Sequence, residues 1–87
     1  MSAKDVASYV PAEGFVPDAE TAVKIAQAVL EPIYGVEEIR RQLPLEAVLH
    51  NEVWIVQGSV PTGTRGGVAY AEIAKRDGRI IRVTHGR

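Results

Sequence analysis

The side chains best suited to proton transfer are His50 and His85, and each stands alone. Neither has a second histidine at His-x-x-x-His spacing, nor a carboxylate or cysteine at ligand spacing, so no metal site and no oriented acid–base pair is predicted. Glu37, Glu38 and Glu72 read as solvated charges on element faces rather than as a catalytic pair. The run Gly63-Thr64-Arg65-Gly66-Gly67 lacks the Gly-Lys-Ser/Thr ending that sets a lysine and a hydroxyl on phosphates. Its first four residues match the G-x-x-G of the KH RNA-binding module. That module needs the loop between helices, whereas here it joins two strands, so it reads as a strand connection that needs positive φ. No catalytic residue, cofactor, metal or nucleic acid is predicted. What remains are residue types that anchor interfaces: Trp54, Tyr34, Tyr70 and Arg65. Trp54, flanked by Val56 on an alternating strand, belongs in the core. Tyr70, beside the glycine-rich loop that carries Arg65, is the surface anchor.

The elements that position these residues come from an 87-residue chain, the length of one domain. Its formal charge of -1 is divided unevenly. Residues 1–43 carry four Lys/Arg against seven Asp/Glu, and residues 44–87 carry six against four. The chain has no cysteine, which excludes disulfides and thiol chemistry. No window approaches the ~18–20 apolar residues of a membrane span, and no apolar run of signal-peptide length opens the chain. A cytoplasmic protein is expected, with no membrane partner.

Residues 1–14 show no periodicity and are expected to form a flexible tail ahead of a single α+β domain at 15–87. A long amphipathic helix is predicted from Asp18 to Tyr34. Ala22, Ile25, Ala26, Val29 and Ile33 form its apolar stripe, widened by Val23 and Leu30, with Glu20, Lys24, Gln27 and Glu31 on the wet side. Asp18 caps its start, and Gly35 ends a last turn bent by Pro32. Val36, Ile39 and Leu43 then predict a short second helix through about Arg41, which Pro44 stops.

From Leu45 the period becomes two. Leu45–His50, Val53–Val60, Val68–Lys75 and Arg79–His85 predict four strands in antiparallel meander order. For the last hairpin, a three-residue loop with left-handed Gly78 pairs Ile73 with Ile81, Ala71 with Val83 and Glu72 with Arg82, which separates core from solvent. Strand Val53–Val60 is apolar on both sides, so a cover is expected on each: the long helix on one, and the short helix, the tail or another molecule on the other.

Gly14-Phe15-Val16-Pro17-Asp18 with Thr21–Ala26, then Pro32-Ile33-Tyr34-Gly35, Val53–Gly58, Gly66-Gly67 and Asp77–Ile80 with Val83-Thr84-His85, resembles the bacterial YbbC/YhhH group in order and spacing. Those are small proteins classed as immunity proteins of nuclear-transport-factor-2-like fold. The resemblance implies a helix on a curved antiparallel sheet, cone-like or cystatin-like, though this chain falls short of the full three-helix cone. It also implies a non-enzymatic protein that protects its producer by binding a cognate polymorphic toxin. No catalytic residues are attributed to the group, so none carry over. The element order also looks like a PepSY-type regulatory binding module, and a third reading is a pocketed cone protein with a small ligand or isomerase-like activity. For a binding protein, the expected toxin-facing residues are Arg65, Tyr70, Glu72 and Arg82. Val48 and Ile55 are the expected contact if the unclaimed sheet face instead closes a homodimer.

Overall fold

The computed structural model describes residues 8–60 and 67–86. Its elements are α1 (Ala19–Tyr34), α2 (Val36–Arg41), β1 (Glu46–His50), β2 (Val53–Gln57), β3 (Ala69–Ala74) and β4 (Ile80–His85). The four strands form one antiparallel sheet in the order β1-β2-β3-β4, and both helices lie on the same side of it, giving the expected α+β meander.

Local chemistry sets the ends of α1. Asp18 is extended, and its Oδ1 accepts from the Thr21 N–H at 2.8 Å and from the Thr21 hydroxyl at 2.6 Å. These bonds to the charged form hold the Asp18 carboxyl below its usual range. At the other end the helix runs through Pro32 to Tyr34, and Gly35 takes φ 99° while its N–H closes on the Glu31 carbonyl. The buried stripe is narrower than the aliphatic pattern predicts: Ala22, Ala26 and Leu30 are fully buried, Val23 and Ile25 flank them, and Ile33 is 54% exposed. The reason lies beneath the helix. Ala69 and Ala71 of the sheet are also buried, so the closest approach falls on small residues, and the larger Ile33 lies outside the contact. On α2 only Ile39 of the expected Val36, Ile39 and Leu43 turns inward.

The β1–β2 hairpin turns on Asn51 and Glu52, both at positive φ (50° and 64°), the geometry of a type I′ turn. The β3–β4 hairpin corrects the predicted register near its turn. Ala74 exchanges backbone bonds with Gly78 and Arg79, so the loop is four residues, Lys75–Gly78, with Gly78 at φ 78° and the Asp77 carboxylate accepting the Arg79 N–H. Ile73 therefore faces Ile80, not Ile81, and a shift between Glu72 and Ile73 absorbs the odd residue. Beyond it, Glu72 faces Arg82 and Ala71 faces Val83 as expected.

The core joins Val16, Leu30, Ile39, Leu45, Trp54, Val56 and Ile73 with the alanines. Residues 15 and 16 run beside the last hairpin, Phe15 N–H to Arg76 O and Val16 N–H to Lys75 O, each at 3.0 Å. Trp54 donates its indole N–H to the Val16 carbonyl at 2.7 Å, so the buried ring leaves no polar atom unpaired.

Candidate functional site

Because side chains alternate across a strand, the registers assign every strand residue to one of two faces. Ala47, Val56, Ala71 and Val83 form a row under the helices. On the opposite face run Val48, Ile55, Glu72 and Arg82, and beside them Glu46, Gln57, Tyr70 and Thr84. Five of the six residues expected at partner or oligomer contacts thus share one surface; the sixth, Arg65, lies outside the described residues. Since α2 packs in the helical layer, it does not supply the second cover expected for β2. No described element lies over this face, and Val48 is 65% exposed.

Within the face, charge is arranged by one hydrogen bond. The Tyr70 hydroxyl donates to Glu72 Oε2 at 2.5 Å. The bond to the carboxylate, then burial and the nearby negative charge, push the Tyr70 phenol above its usual range. Glu72 and Arg82 are opposite in register, yet no ion pair forms between them. Gln57, Val68, Tyr70, Arg82, Thr84 and Gly86 line a shallow open groove of about 330 Å³ at this end of the sheet. The groove offers the Arg82 guanidinium, the Tyr70 and Thr84 hydroxyls and the Gln57 amide beside Val68, residue types that bind polar groups of a partner.

The two histidines occupy different settings. His50 is exposed at the end of β1 beside Asn51. His85 stacks obliquely against Tyr34 with ring centroids 4.9 Å apart, and its Nε2 lies 3.0 Å from Gln42 Nε2. The Gln42 amide donates, so His85 Nε2 accepts and Nδ1–H donates to Gly86 O. Arg41 first, and then the Gln42 amide, hold the Glu38 carboxylate below its usual range. Gln42 is the one buried polar or charged residue among the described residues and was absent from the sequence expectations. Its signal was present: it follows Ile39 by three and so falls on the inward phase of α2. Among the described residues no three His, Cys, Asp or Glu side chains gather as metal ligands, and no helix is long and apolar enough to cross a membrane.

The helix on a four-stranded antiparallel sheet is consistent with the fold of the family that the chain matches. The family model described as NTF2 fold immunity protein matches residues 21–87. The chain belongs to that family. A similar protein is the uncharacterized protein YhhH of Escherichia coli (strain K12), 31% identical over 67 residues. The match covers 76% of this chain and 53% of YhhH, so the chain spans about half the length of the curated relative it matches. No solved structure matches.

Proposed function

We propose that this protein is a non-catalytic immunity protein that neutralises a cognate bacterial toxin by covering it with the open face of its sheet, in the cytoplasm of the producing cell. Family membership supports the immunity role. The observation that carries the choice of surface is the placement of Val48, Ile55, Tyr70 and Arg82 together on a face that no described element covers. An aromatic and an arginine around an exposed valine and a half-buried isoleucine are the composition of an energetic centre in protein interfaces. Arg65, on the connection between β2 and β3, belongs to the same proposed surface.

The test is protection. Cells making the cognate toxin should lose protection when Tyr70→Ala and Ile55→Glu are introduced, while the circular dichroism spectrum is unchanged. Full protection by that double variant overturns the assignment.

The exposure of Val48 favours a second reading, in which the β1–β2 half of the same face closes a homodimer. Light scattering separates the two: a wild-type dimer that Ile55→Glu converts to a monomer, with protection intact, selects the dimer.

A further inference from the structure

We propose that the open face is built for an acidic segment of a protein partner, with Arg82 taking the carboxylate and Tyr70 keeping Arg82 available by holding Glu72. The proposal rests on the toxin-binding reading above and names the partner's chemistry. Opposite charges directly across an antiparallel pair ordinarily attract. Glu72 and Arg82 stand in that relation, yet among the described residues Arg82, like Arg76, pairs with no carboxylate, while Arg40, Arg41 and Arg79 each meet one at 3.2, 2.5 and 3.7 Å. Glu72 Oε2 instead accepts from the Tyr70 hydroxyl at 2.5 Å, the contact to which we assign its separation from Arg82.

The surroundings of Arg82 suit a carboxylate. It lines the groove with Thr84 and Gln57, whose hydroxyl and amide can donate to a second oxygen. A guanidinium binds a carboxylate through paired hydrogen bonds, which gives orientation as well as attraction. Glu46, the other acid on this face, lies in the row of Gln57, Tyr70 and Thr84 but on β1, three strands from β4. At ~4.8 Å per strand that is ~14 Å, beyond the ~8–10 Å screening length of physiological salt. The half of the chain that builds the sheet is also the cationic one, with six Lys/Arg against four Asp/Glu. On the open face itself Arg82 stands with Glu46 and Glu72, so the draw for a carboxylate is the guanidinium and not a net charge.

The experiment uses the full chain, nitrogen-15 labelled, titrated separately with hexaglutamate, hexalysine and inorganic phosphate at equal concentration. Hexaglutamate should move the resonances of Arg82, Thr84 and Gln57; hexalysine should not, and phosphate should move them less. Arg82→Gln should abolish the shifts. Tyr70→Phe keeps the ring but releases Glu72, so it should weaken hexaglutamate binding about three-fold, the scale of an exposed ion pair. Adding Glu72→Gln to Tyr70→Phe should restore it. Equal shifts with hexalysine or phosphate, or a Tyr70→Phe variant that binds as the wild type does, overturns the proposal. If Ile55→Glu abolishes protection but hexaglutamate leaves Arg82 unmoved, the toxin-facing surface stands and its acidic partner does not. If hexaglutamate binds as described while open-face variants protect fully, the acid-binding groove stands and the toxin reading falls.

Discussion

Gln42 Oε1 accepts the backbone N–H of Ala69 at 2.7 Å, so a side chain from the end of α2 is inserted into the β2–β3 ladder. Gly58 still donates to the Ala69 carbonyl at 3.0 Å, but the return bond of that pair goes to glutamine. The same amide reaches Glu38 and His85, which ties helix, ladder and last strand at one buried point. A glycine is required opposite it, because a Cβ at position 58 would come within 2.3 Å of Gln42 Oε1.

Gln42→Leu should therefore destabilise the fold by about 1–3 kcal/mol, the cost of leaving a buried N–H without a partner, despite adding apolar surface. Urea unfolding of the two proteins measures it. A variant as stable as the wild type would show that the Ala69 N–H finds another acceptor.

The position of the helix stripe is tested by a pair of truncations. Leu30→Ala should cost about 2–5 kcal/mol, since the side chain is fully buried, and Ile33→Ala should be nearly neutral because it is more than half exposed. Similar unfolding midpoints for both would place the stripe elsewhere.

Glu52 holds a left-handed conformation at φ 64°, and its side chain makes no ion pair among the described residues. Glu52→Gly gives the turn the Asn-Gly pair that type I′ geometry favours, and removes a penalty of roughly 1 kcal/mol. The melting temperature should rise; a fall would mean that the Glu52 side chain contributes more than its backbone strain costs.

The Asp18 carboxyl titrates below its usual range because Thr21 binds its ionised form. Its stabilising contribution is thus complete above the ordinary carboxylate pKa and is lost as pH falls through the lowered folded value. Asp18→Ala should lower the melting temperature at neutral pH, and the gap from the wild type should close in strong acid. A gap independent of pH would show that the cap acts without its charge.

How much of this follows from the sequence depends on how local the cause is. Asp18 and Gly35 mark the helix ends through their own backbone neighbours, and the period of two, with the core kept on one side of each strand, places Val48, Ile55, Tyr70, Glu72 and Arg82 on the other face. The β3–β4 register follows alternation as far as Glu72–Arg82, then departs from it because the Lys75–Gly78 turn is decided by backbone bonds and the Asp77 carboxylate. The helix stripe departs for a different reason. Aliphatic size favours Ile25 and Val29, whereas the sheet beneath offers alanines and draws in the Ala22–Ala26–Leu30 line. Inside the site, the diversion of Glu72 from Arg82 to Tyr70 is a choice between two adjacent partners, and spacing does not decide it.

The bond from Trp54 to the Val16 carbonyl gives the chain an optical gauge of its own. It is the only tryptophan, so all indole emission comes from one ring, shielded from water and hydrogen-bonded to the segment that precedes the first helix. Were residues 15 and 16 to detach with the four strands still paired, the indole would lose its hydrogen-bond acceptor and meet water. The colour of the emitted light therefore reports the undocking of this segment separately from the unfolding of the sheet, without any label being introduced.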